Sequence, residues 1–154
     1  MRIIANALAA DGRVVIIAQS SSQSGGRKFG HFVNLRVIAL PAGMTADEYT
    51  TVRQKGVEVL VDLGEADARS SGPMSRYGAK LARAWAAFAE VVGEAVAKHA
   101  QASAAFNALL VRMRNLEEYK RHDVPLYSRY IAELRPSLEA ARNELAAAEA
   151  ALAA

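Results

Sequence analysis

The chain has 154 residues, 52% of them hydrophobic, which is enough for one substantial core with an extension but not for two large domains. Charged residues interrupt every long apolar run, so no uncharged apolar stretch of about 18 residues exists to span a bilayer. The absence of cysteine excludes disulfides, thiolate chemistry and Cys-based zinc sites, and the formal charge of +3 suits an anionic partner without demanding one.

The apolar run Ile3–Leu8 behind Arg2 has strand character and lacks the length of a signal-peptide core, which predicts a cytoplasmic protein. It pairs with Arg13–Ala18 across Ala10-Asp11-Gly12, because Asp-Gly between apolar runs supplies the positive φ of a hairpin turn. A third strand is expected over Phe32–Leu40, with Val33, Leu35, Val37 and Ala39 on one side, Phe32, Asn34, Arg36 and Ile38 on the other, and Pro41 as the stop. Thr45-Ala46-Asp47-Glu48 fits a capping box and predicts a short helix to about Lys55. Gly56 closes that helix, and Val57–Leu63 reads as a fourth strand with Glu58 and Asp62 on one face.

Beyond Ser70-Ser71-Gly72-Pro73 the period changes from two to about 3.6 residues. Leu81, Trp85, Phe88, Val92, Val96, His99, Phe106, Leu109, Met113 and Leu116 fall on one stripe of a helix from about 74 to about 120, with Gly93 as a point of bending. Pro125 breaks it. Tyr127, Ile131, Leu134, Leu138, Ala141, Leu145, Ala148 and Leu152 then keep a four-three alternation, a heptad seam from which Pro136 points away. The expected class is α+β: a small, antiparallel-rich N-terminal sheet in the order β-β-β-α-β over residues 1–68, then a long antiparallel α-helical hairpin over residues 74–154.

About a dozen residues join the second and third strands, QSSSQSGGRKFGHF, more than a hairpin needs. Arg27, Lys28, Phe29, His31 and Phe32 combine cations with rings, the pairing that tracks a phosphate backbone and stacks on unpaired bases; the alternative is a solvated connector with its rings tucked inward. Arg76, Lys80 and Arg83 share a face at the start of the long helix, where cations oppose the helix dipole and so hint at an outside anion. Glu58, Asp62, Glu65 and Asp67 read as solvent-facing strand residues rather than metal ligands, since no histidine or lysine in nearby sequence completes a site. The three histidines are scattered, and no serine sits in a nucleophile elbow or glycine run in a P-loop. No enzyme, metal or cofactor is expected.

RVVIIAQSSS, the basic glycine-containing loop, HFVNLRVIAL and YTTVRQKGVEVLVDLG together resemble the OB-fold core of bacterial single-stranded-DNA-binding proteins over residues 1–65. The resemblance implies a DNA-contacting loop between the second and third strands and places Phe32 as a stacking ring, while Ile38 stands where another aromatic is usual. No fifth strand follows, so a plain α+β sheet is open beside a closed barrel, and the chain ends in alanine-rich heptads in place of that family's acidic tail. The expected function is non-enzymatic binding of nucleic acid, single-stranded DNA first, with Arg27, Lys28 and Arg36 on phosphates, Phe29 and Phe32 stacking, and Arg76, Lys80 and Arg83 extending the track. The alternative is a protein-interaction module, such as a phage or plasmid accessory or inhibitor protein, acting through its long helices and self-associating as a homodimer.

Overall fold

The computed structural model describes residues 1–22, 31–51, 55–69 and 72–154. Its elements run β1 (Arg2–Leu8), β2 (Val14–Ser21), β3 (Phe32–Ala39), α1 (Ala46–Thr51), β4 (Glu58–Asp67), α2 (Arg76–Val92), α3 (Glu94–Tyr119) and α4 (Val124–Ala153), an α+β architecture. The chain forms two compact units, Met1–Ala97 and Lys98–Ala154.

In the first unit the four strands make one antiparallel sheet in chain order, β1-β2-β3-β4. The β1–β2 turn forms as Asp-Gly dictates: Gly12 sits at φ 85°, its amide donates to the Ala9 carbonyl at 3.0 Å, and the Ala9 amide donates to the Arg13 carbonyl at 2.9 Å. The capping box before α1 also forms, with the Thr45 amide donating to the Glu48 carboxylate at 2.8 Å and the Glu48 amide to the Thr45 hydroxyl at 3.3 Å. Of the stretch expected to carry that helix to Lys55, residues 52–54 lie outside the described residues.

The sheet is covered on both faces. On one, Val15, Ile17, Val33, Leu35, Val37 and Ala39 are buried, and α2 packs against β2, β3 and β4 with Tyr77, Ala84, Phe88 and Ala89 turned inward. On the other, Ile16, Ala18, Ile38 and Leu40 form a cluster flanked by Ile3, Val14, Met44, Ala46, Tyr49 and Val57, so α1 and its approach cover one end of that face. Each fully buried aliphatic side chain here contributes about 1.5–3 kcal/mol.

The expected alternation of β4 needs correction. Against β3, Ile38 pairs with Val59 but Val37 with Val61, and Arg36 pairs with Asp62 but Leu35 with Gly64. Leu60 and Leu63 are therefore extra residues in two β-bulges, each of which swaps the faces beyond it. Glu58, opposite Ala39, ends on the α2 side, whereas Asp62, Glu65 and Asp67 stand opposite Arg36, Asn34 and Phe32 on the other face. Glu58 and Asp62 thus do not share a face. Gly64, at φ 71°, supplies the left-handed residue the second bulge requires.

The single long helix expected from 74 to 120 is two helices. Gly93 adopts φ 95° and donates its amide to the Ala89 carbonyl at 2.9 Å, so it caps α2 rather than merely bending it. Because α2 lies on the sheet, the division between the units falls inside α3, well beyond the change of period at residues 70–73.

In the second unit α3 and α4 run antiparallel. Leu116 and Tyr119 share a groove with Tyr130 and Leu134 near the turn, and at the other end His99 Nε2 lies 4.0 Å from Glu149 Oε1. Asp123 caps α4 by accepting the Leu126 amide at 3.0 Å, Pro125 occupies the first turn where its missing N–H costs nothing, and the Lys120 ammonium sits over the Tyr127 ring at 5.6 Å. The heptad seam is the covered stripe: Leu134, Leu138 and Ala141 are buried and Tyr127, Ile131, Leu145 and Ala148 half-buried. α4 continues through Pro136 without losing that register.

Candidate functional site

Three places were marked by the sequence or by the fold: the open end of the sheet face, the first turns of α2, and the flank of the hairpin.

At the open end of the sheet the expected phosphate ligand Arg36 is engaged. Its Nε donates to Asp62 Oδ2 at 3.0 Å, with both side chains nearly half exposed. Three neighbours hold Asp62 below the ordinary carboxylate range, the Gly64 amide foremost, then the Arg36 guanidinium and the Lys80 ammonium. Next along the same face, the Ser22 hydroxyl donates to the Glu65 carboxylate, and Asp67 accepts from Arg69 Nε at 3.0 Å. Phe32 is half-buried and lines a crevice of ≈ 470 Å³ with Glu65, Ala66, Asp67, Ser75, Arg76 and Tyr77. The surroundings of the expected stacking ring are therefore rich in carboxylates, a sign of charge that opposes a polyanion. Arg27, Lys28 and Phe29 lie outside the described residues.

Arg69 bonds the Asp67 carboxylate with its side chain and also with its backbone amide, and together these lower the Asp67 pKa to about 2. Because the folded value is depressed, the stabilisation is complete above the unfolded value near 3.9 and disappears as pH falls from about 4 toward 2. An NMR titration of the Asp67 carboxyl should give a midpoint near 2 that moves toward 4 in Arg69→Ala; a wild-type midpoint near 4 would show that the clamp does not hold in solution.

The three cations of α2 separate. Lys80 Nζ donates to the Glu65 backbone carbonyl at 2.7 Å, so it satisfies the bulged strand. Arg76 and Arg83, one heptad apart, are exposed. The helix start around them is closed by Ser75, whose hydroxyl accepts the Gly78 amide at 2.9 Å. Tyr77 is buried and donates its hydroxyl to Gln19 at 2.7 Å, and desolvation pushes its pKa up.

The heptads mark the long helices as an alternative working surface without singling out the residues on the flank of the hairpin. An open groove of ≈ 360 Å³ is lined by Arg112, Leu116 and Tyr119 from α3 and by Tyr130, Glu133, Leu134 and Ser137 from α4. Leu134 is 4% exposed, whereas Tyr119 and Tyr130 are 50% and 36% exposed, so the floor is apolar and the walls are accessible rings. The signal was present in the heptads. Stepping by seven along α3 gives Lys98, Ala105, Arg112 and Tyr119, and along α4 Tyr130, Ser137, Glu144 and Ala151, the positions that border a seam on one side. Leu110, Val111, Val124 and Leu152 are further exposed large apolar side chains of this unit.

Among the described residues no group of three or more His, Asp or Glu side chains could hold a metal ion, and no helix is long and apolar enough to cross a membrane. No protein-family model matches the chain, and no curated protein or solved structure matches it.

Proposed function

We propose that this protein is a non-catalytic interaction module of the cytoplasm whose α3–α4 hairpin receives a protein partner. One observation carries the reading: two full-length helices leave their common interior half covered. Phe106, Leu109, Met113, Leu116, Ile131 and Leu145 all face the seam, yet each keeps part of its surface in water. Helix bundles reach full burial when further helices close such a seam, and an exposed apolar band with aromatic walls is the surface on which partner helices dock.

Binding of single-stranded nucleic acid, the function that the likeness to single-stranded-DNA-binding proteins implies, is the second reading. Arg76 and Arg83 support it, being exposed and making no ion pair with a described residue. Against it stand the engagement of Arg36 and Lys80 and the carboxylates around Phe32.

One comparison separates the two readings. A photo-crosslinking amino acid at Tyr119 should yield protein adducts in cells, while fluorescence anisotropy of a labelled oligonucleotide should show no binding at low salt. Absence of protein adducts, together with oligonucleotide binding that falls steeply with salt, would reverse the assignment.

A further inference from the structure

We infer that the partner seated on the hairpin flank is a second copy of this chain, in a two-fold four-helix assembly; the inference rests on the hairpin being the interaction surface. The groove carries opposite charge on its two rims. Arg112 lines it from α3 and Glu133 from α4, and stepping by seven along the same flanks adds Lys98 to the α3 side and Glu144 to the α4 side. Arg112 makes no ion pair with a described residue, and among the described residues Glu133 is held by the solvent-exposed Arg129 one turn away, at 3.2 Å.

A two-fold axis parallel to the helices turns this arrangement into self-complementarity. It brings α3 of one copy against α4 of the other, antiparallel, and leaves heights along the hairpin unchanged. Residues that share a level within one hairpin then face each other between copies. Tyr119 meets Tyr130 of the second copy at one level, Glu133 of the second copy lies about one helical turn from the level of Arg112, roughly 5 Å and within reach of these two long side chains, and all four residues line the groove described above. Ala105, Ser137 and Ala151 on the same flanks are small enough to let the helices approach. A polyanion or a uniformly charged partner would satisfy one rim and be repelled by the other, whereas a second copy satisfies both.

The test uses the full chain and two variants, each of which repels itself. In Arg112→Glu every facing pair becomes acidic, and in Glu133→Arg every facing pair becomes basic. Sedimentation equilibrium should show a wild-type dimer and, for each variant alone, a dissociation constant raised by about tenfold or more, with helix content by circular dichroism unchanged. An equimolar mixture of the two variants should recover the dimer, because Glu at 112 then faces Arg at 133 and the native Glu133 faces the native Arg112. A charge effect confined to one hairpin would not be repaired by mixing. Tyr119→Ala, which alters no charge, should also weaken the dimer. A monomeric wild-type chain, variants as dimeric as wild type, or a mixture that stays monomeric would each overturn the inference. Adducts from Tyr119 to other proteins with none to its own copy would overturn it too, while keeping the hairpin as an interaction surface; loss of all protein adducts would remove both.

Discussion

Replacing Phe88 with alanine is expected to destabilise the sheet-and-helix unit by about 3–5 kcal/mol, the usual cost of emptying a ring-sized site in a closed core. Phe88 is 0% exposed and the largest of the fully buried side chains. It stands on the face of α2 that meets β2, β3 and β4, and its ring meets Trp85 edge to face at 5.7 Å, an arrangement worth about 0.5–1.5 kcal/mol beyond area alone. Backbone strands on one side and helix on the other restrict collapse into the void. Trp85 is the only tryptophan, so its emission reports directly: urea titration of Phe88→Ala should show a lowered midpoint and a red-shifted native spectrum. Phe106→Ala provides the contrast, since that ring is half-exposed and should cost less than half as much. Equal losses at the two positions would contradict the burial described for α2.

Gly78→Ala is expected to reverse a familiar rule. A glycine inside a helix ordinarily yields about 1 kcal/mol of stability when changed to alanine. Here a Cβ on residue 78 would stand 2.1 Å from the Gly72 carbonyl oxygen, 2.9 Å from its carbon and 3.1 Å from Pro73 Cα. These are backbone atoms that no rotamer change can remove. The Gly72 carbonyl is moreover held in place by the Ser75 amide at 2.9 Å and the Ser75 hydroxyl at 2.6 Å. The substitution must push the loop away and break the cap of α2, a loss of about 1–3 kcal/mol in place of a gain. Thermal unfolding followed by far-ultraviolet circular dichroism decides it, and a variant more stable than wild type would show that the loop does not lie across the helix start.

Much of the fold was legible in the residues because the relevant physics is local. Asp11-Gly12 specifies its turn through the φ that glycine tolerates, Thr45 and Glu48 specify a helix start by satisfying each other's amides, and the four-three spacing from Tyr127 to Ala148 marks the stripe that α3 covers. Gly93 carried its signal too, but its effect was understated: in the left-handed region it ends one helix, and the next begins at once. The candidate site was less legible. Arg36 and Arg76 look alike in the sequence, yet one is paired across strands with Asp62 and the other stands exposed.

The sequence by itself determined the kinds of elements and their order, since caps, turns and periodicity act over a few residues, but not every boundary: the helix expected from 74 to 120 divides at Gly93, and β4 runs on to Asp67. Only the tertiary structure decided which faces those elements present. The first bulge in β4 carries Asp62 to the face of Phe32 and Arg36, and the second restores the alternation that leaves Glu65 and Asp67 there too, while the docking of α2 draws Lys80 onto a strand carbonyl and leaves Arg83 in water. Charge neutralisation between strands depends on register, and register depends on residues distant in the chain, so a cation's partner cannot be read from its neighbours in sequence.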